Sequence, residues 1–283
     1  MIKKKKVVNG LYYLILVSFL ALVLFPLIYT FFASFKSNME IFVNPGSILP
    51  KEFTLENYRT AWNSEDFNVK ILVWNSIYYT LILVAAGVLK SAMAGYVFNR
   101  AEFPGKKLLF AAFSSLLFLK LGTITVYPLF DILNAIKLNK SLFGLIFIKL
   151  FSINVVHIYL VKSFVEAIPR QIDEAAQIDG CSFGGTFFRI ILPLLKPVLA
   201  TIGILNFSAS WNEYLMPTIF TLSNPSQRTL IAGVVALKSS GYAASSWNLM
   251  LAGSVIALIP VLIAYAFCNK LFVAGVTSGA VKG

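Results

Sequence analysis

With 12 acidic residues and one histidine, His157, in 283 positions, this chain holds little from which a catalytic or metal centre could be assembled. No Cys/His cluster has metal-ligand spacing, and no G-x-x-x-x-G-K-[ST] loop is present to cradle nucleotide phosphates. Gly105-Lys106 comes nearest, but Arg100 stands where the first glycine would be. Any ATP hydrolysis that serves this protein therefore belongs to another polypeptide. No catalytic residue, metal ligand or cofactor bound by the chain itself is expected. The charges that stand out do so by their place. Lys120, Lys149 and Glu213 fall within or beside long apolar runs, where an ionised side chain is costly unless it faces water or a partner.

Those runs set the class. The chain is 58% hydrophobic and 13% charged, against about a quarter charged in soluble proteins. Crossing about 30 Å of hydrocarbon takes roughly 20 residues of helix. Six segments qualify: 11–35, 71–98, 108–130, 141–161, 198–222 and 248–268. They are continuously apolar rather than alternating, which selects helices over barrel strands. The expectation is an all-α polytopic membrane protein, a single transmembrane domain over 1–283 with six transmembrane helices. Lys3 to Lys6 ahead of an apolar stretch resemble the start of a secretory signal, but the run is too long and lacks a small-x-small cleavage site, so an uncleaved first span is expected.

Basic residues orient the spans. With the N-terminus inside, the inner segments hold thirteen: Lys3 to Lys6, Arg100, Lys106, Lys107, Lys162, Arg170, Arg189, Lys196, Lys270 and Lys282. The outer segments hold eight, in longer stretches: Lys36, Lys51, Arg59, Lys70, Lys137, Lys140, Arg228 and Lys238. Both termini are expected in the cytoplasm. The net charge of +12 then reflects contact with an anionic inner leaflet, not nucleic acid. Cys181 and Cys268 both fall on that inner side, away from disulfide-forming conditions.

Between two apolar segments lies the polar stretch EAAQIDGCSFGGTFFRIILP, Glu174 to Pro193. Ile172 to Ile178 contain neither Gly nor Pro. Asp173 and Glu174 lie near the start of the expected helix, where the dipole favours acids. Gly180 should end it and Ser182 cap the next. A short helix, a sharp turn and a second helix are predicted over about 170–188.

These residues resemble a known family. Glu174, Ala175, Ala176, Gly180, Ile190, Leu192 and Pro193 match the EAA-x-x-x-G-x9-I-x-L-P signature of the membrane subunits of bacterial ABC importers, which share the MetI-like permease fold. SFKSNMEIF from Ser34, TLENY from Thr54, WNEYLMP from Trp211 and the terminal GAVKG resemble the maltose/oligosaccharide branch, in particular its MalG-like permease subunit. The resemblance implies a permease of the bacterial inner membrane that pairs with a second, homologous permease subunit. Two ATPase subunits, carrying ATP and Mg, would drive it, and an extracytoplasmic sugar-binding protein would deliver an oligosaccharide. It implies that the EAA loop is a cytoplasmic coupling helix, with Asp173, Glu174, Ala175, Ala176, Asp179 and Gly180 serving ATPase coupling, Glu174 by a charged pair. Lys282 and Gly283 of the tail would reach the ATPase interface.

The polar residues of the spans are the candidate translocation path: Lys120, Tyr127, Lys149, Asn206, Trp211, Asn212 and Glu213. Lys120 lies about 18 Å and Lys149 about 12 Å along their segments, near the midplane. Either they face a water-filled path, which raises the idea of an acidic sugar, or they pair with Asp131, Glu213 or the partner subunit. Aromatic faces stack on sugar rings and amides bond their hydroxyls. Trp211, Asn212 and Glu213 are expected to act more as a gate or packing cluster than in direct sugar contact. Pro128 and Pro217 are expected to kink their spans. The outer loop from Lys36 to Lys70 could meet the sugar-binding protein or pack on the partner permease.

Overall fold

The computed structural model describes residues 2–64, 67–119, 122–239 and 246–280, and among these it is all-helical. In chain order the helices are α1 (Ile2–Ala33), α2 (Asn38–Val43), α3 (Glu56–Asn63), α4 (Val69–Arg100), α5 (Lys106–Ser115), α6 (Val126–Ala135), α7 (Leu142–Leu150), α8 (Val155–Glu166), α9 (Gln171–Ile178), α10 (Phe183–Thr186), α11 (Leu192–Leu194), α12 (Lys196–Trp211), α13 (Leu215–Phe220), α14 (Leu230–Ser239) and α15 (Trp247–Ala280). Three are long and apolar enough to cross a membrane, over Tyr12–Ala33, Val69–Arg100 and Trp247–Phe267. Two broken pairs qualify if each is one span: α7 with α8, bent by 41°, and Phe183–Leu194 with α12, bent by 79°. Five such crossings are therefore available by length and composition among the described residues.

Over 108–130 the described residues hold α5, a short 3-10 turn at Gly122–Thr125 and α6, and Lys120 lies outside them. Pro128 and Pro217 stand in the first turns of α6 and α13. Backbone N–H groups in a first turn have no helical acceptor, so proline, which lacks one, loses nothing there, and both residues open new helices instead of bending continuous ones.

The chain divides into two compact units, Met1–Ile71 with Gly233–Ile259, and Leu72–Ala232 with Pro260–Gly283. The first is tied by Asn57 on α3. Its Nδ2 donates to the carbonyls of Ser34 (2.7 Å) and Lys36 (2.8 Å), and its Oδ1 accepts from Asn248 Nδ2 at 2.8 Å. The Ser34 and Tyr58 hydroxyls lie 2.6 Å apart. Burial raises the Tyr58 pKa above its ordinary value, outweighing the opposing effect of Ser34. Lys36 is wholly buried, donates to the Ser47 carbonyl, and sits 5.6 Å from the centroid of the Tyr29 ring. The SFKSNMEIF and TLENY stretches are thus one hydrogen-bonded knot at the end of α1.

The second unit has two apolar cores. One joins Ala92 and Tyr96 of α4, Val161 and Val165 of α8, and Phe187, Ile191, Leu195, Val198 and Ile202 of the run into α12. The other joins Tyr79 of α4 to Leu133 of α6, Leu142, Leu145 and Ile146 of α7, and Phe220 of α13. Helix α4 therefore serves both. It approaches α8 so closely that a Cβ on Gly95 would lie 2.5 Å from Val161. Small residues permit such contact between membrane helices. Between α10 and α11 the chain winds as a π-helix, Phe187–Ile191, with Pro193 in the next turn.

Replacing Asn57 by Ala strands two carbonyls and one amide in the first unit. At about 1–3 kcal/mol for each buried group left unpaired, the variant should lose several kcal/mol, read as a fall in the thermal unfolding midpoint in detergent.

Candidate functional site

A cavity of about 1230 Å³ opens in the second unit, walled by α4, the break between α7 and α8, and the end of α12. Four of its wall residues lie on that break. Helix α7 stops at Leu150, the chain runs irregularly through 151–154, and α8 restarts with Asn154 as its N-cap, the Asn154 Oδ1 accepting from His157 N at 3.3 Å. A helix broken in this way presents carbonyls that lipid cannot satisfy. Lys90 of α4 satisfies them. Its Nζ donates to the carbonyls of Lys149 (3.3 Å), Leu150 (2.8 Å) and Ser152 (2.6 Å). A cation at a helix C-terminus is also favoured by the dipole.

Beside it stands an ion pair. Lys149 Nζ lies 2.5 Å from Glu213 Oε2, and Tyr79 OH donates to the same oxygen at 2.7 Å. Of the alternatives open to Lys149, pairing with Glu213 is the one realised here. Asn206 lines the same cavity with its Nδ2 buried and unbonded, against Gly87 of α4. Asn212 lines it as well and turns its own amide back to the Ser208 carbonyl at 2.9 Å. Tyr214 completes the wall, half exposed.

The remaining path candidates lie elsewhere. Trp211 is buried at 2% exposure and stacks on Phe207, ring centroids 5.7 Å apart. Tyr127 is exposed on α6 and is not part of the cavity wall. Lys90 was missed in the sequence, although a lysine in the middle of the apolar segment 71–98 is itself the signal.

The polar stretch folds as its residues imply. After α9 the Gly180 backbone is left-handed, φ +80°. Cys181 N donates to Ala176 O (2.9 Å) and Gly180 N to Gln177 O (3.0 Å), which is a Schellman closure. Ser182 Oγ accepts from Gly185 N at 3.1 Å and caps α10. Helix α9 has two faces. Asp173 and Ala176 are buried, whereas Glu174, Ala175, Gln177, Ile178, Asp179 and Gly180 are exposed. Ile178 is 87% exposed. Asp173 faces α4, accepting from Tyr96 OH at 2.8 Å and Arg100 Nε at 3.0 Å. Lys282 and Gly283 lie outside the described residues.

His157 is buried on α8, and among the described residues no group of His, Cys, Asp and Glu could hold a metal. A largely apolar cavity bearing a few polar and charged side chains, set among apolar helices with a separate helix that has an open face, is the architecture of a membrane transport component. The chain belongs to the family of binding-protein-dependent transport system inner membrane components, which it matches over residues 107–277. It is a permease and not itself an enzyme. It is 34% identical to the sulfoquinovosyl glycerol transport system permease of Agrobacterium fabrum, over 92% of this chain and 89% of that one. It is 33% identical to the trehalose transport system permease of Mycobacterium tuberculosis, over 92% and 93%. Its fold matches a chain in the crystal structure of a bacterial ABC transporter involved in import of the acidic polysaccharide alginate, with TM-score 0.80 at 23% identity over 95% of this chain and 98% of that one.

Replacing Glu213 by Gln leaves Lys149 without its counter-charge. Water in the cavity tempers the loss, so the low end of the usual range, about 3 kcal/mol, is expected. Pairing Glu213→Gln with Lys149→Met should recover most of it, as a double-mutant cycle on the detergent unfolding midpoint will read.

Proposed function

We propose that this chain is a permease subunit of an ATP-driven importer of oligosaccharides delivered by an extracytoplasmic binding protein. The observation that carries the reading is likeness at more than 30% identity across nearly the whole chain to permeases named for trehalose and sulfoquinovosyl glycerol transport. In this reading the protein spans the membrane six times with both termini in the cytoplasm, as one transmembrane domain. The thirteen basic residues of the inner segments against eight outside support that orientation.

Helix α9 is then the cytoplasmic coupling helix. Its exposed Glu174, Ala175 and Ile178 form the face offered to an ATPase subunit, and the Gly180 turn fixes how that face is presented. Two ATPase subunits bind ATP and Mg, a second homologous permease completes the path, and the tail with Lys282 and Gly283 reaches the ATPase interface. Transport proceeds by alternating access.

The cavity of the second unit is this chain's share of the sugar path. Its amides, Asn206 and Asn212, and the Tyr214 ring suit hydroxyl-rich rings. The Lys149 charge is met by Glu213, whereas Lys90 lines the same cavity with carbonyl partners only, so an acidic substrate would look to Lys90, to Lys120 or to the partner permease.

Co-purification of the tagged chain from its own membranes, followed by uptake assays with its binding protein in proteoliposomes, tests the reading. Recovery of an ATPase and a second permease with saturable oligosaccharide uptake is expected; recovery of neither would refute it. Ile178→Glu should weaken ATPase retention roughly tenfold or more, the weight of burying one isoleucine side chain. Gly180→Pro, which cannot adopt the left-handed turn, should abolish uptake while the permease remains inserted.

A further inference from the structure

Helix α4 is uninterrupted over 32 residues, and three of the polar contacts along it bear on the cavity and on α9. Near one end of α4, Tyr79 holds Glu213. In the middle, Lys90 holds the broken end of α7. In the last turn, Arg100 and its neighbour Tyr96 hold Asp173 of α9. Tyr79 and Arg100 are about 30 Å apart at 1.5 Å per residue.

The third contact is the best enclosed. The side chains of Arg100 and Asp173 are 7% and 10% exposed. Both Asp173 oxygens are used, one by each donor. Arg100 extends the joint by donating from Nη2 to the Ile168 carbonyl (2.6 Å), just ahead of α9, and from Nη1 to Asn99 Oδ1 at 3.1 Å. Asn99 in turn donates from Nδ2 to the Lys162 carbonyl on α8 at 3.1 Å. The polypeptide connects α9 to α8 on one side and to α10 on the other, so nothing in the chain's order requires a bond to α4.

We propose that Asp173 is the positioning residue through which displacement of α9 is passed to α4, and along α4 to the ion pair and the broken helix that wall the cavity. The inference rests on the reading of α9 as the helix that meets the ATPase, and it adds the route taken inside this chain. Glu174 and Ile178 face outward to the motor, while Asp173, one residue before Glu174, faces inward to the rod. Arg100 Nε on one Asp173 oxygen, Tyr96 OH on the other and Arg100 Nη2 on the Ile168 carbonyl hold α9 at three points, which fixes direction as well as distance. A push on α9 therefore moves Lys90 and Tyr79 with it.

The test uses the assembled transporter with its binding protein in proteoliposomes and compares wild type with Asp173→Asn. Three quantities are read: ATPase subunit retained, sugar transported per ATP hydrolysed, and the separation of nitroxide labels on Gln177 of α9 and Leu89 of α4 with and without trapped ATP. In wild type that separation should stay constant between the two states. Asp173→Asn should keep its ATPase subunit, lower sugar per ATP by roughly tenfold, and let the label separation change on ATP trapping. Unchanged sugar per ATP with constant separation would overturn the proposal. Loss of the ATPase subunit from Asp173→Asn would also overturn it, by making Asp173 a docking residue. A failure of the coupling-helix reading itself would appear separately, as full ATPase retention by Ile178→Glu. If Asp173→Asn does not assemble, Arg100→Lys and Tyr96→Phe answer the same question, and wild-type sugar per ATP in both would overturn the joint.

Discussion

Breaking a helix in hydrocarbon exposes carbonyls for which lipid has no donor, and Lys90 is what this protein sets against three of them. The cavity depends on that contact. Without the break, α7 and α8 would run as one rod and present side chains instead of irregular backbone. Without Lys90, the break would leave polar groups facing an apolar wall. One continuous 32-residue helix, α4, thus supports its neighbours' departures from continuity. The bend of 79° before α12 meets the same helix through the core around Tyr96, Phe187 and Leu195.

The chemistry of the cavity follows from how its charges are arranged. Lys149 and Tyr79 converge on a single carboxylate oxygen of Glu213. The wall then holds this compensated pair, the Lys90 ammonium on backbone carbonyls, two amides and a half-exposed tyrosine. The pair also ties the WNEYLMP stretch to α4 and α7, so that this stretch is a joint of the wall as well as part of its lining.

In the first unit, SFKSNMEIF and TLENY form an internal joint. They close on each other through Asn57, Ser34 and Tyr58, and Lys36 is buried among them.

The sequence by itself determined the helical class, since long apolar runs in lipid have no other way to satisfy their backbone. It also determined the form of the polar stretch: the acids of its first turn, the left-handed residue at Gly180 and the cap at Ser182 are local preferences that need no partner. Its motifs pointed to the family. What only the tertiary structure decided is which charges meet. Lys149 and Glu213 are 64 positions apart, and Arg100 and Asp173 are 73 apart. The same holds for the two faces of α9, where adjacent acids divide, Asp173 inward and Glu174 outward. Periodicity places a residue on a helix face, but the partner of that face is chosen by packing between distant segments. Lys90 therefore goes unremarked in an apolar run until the broken end of α7 is set against it.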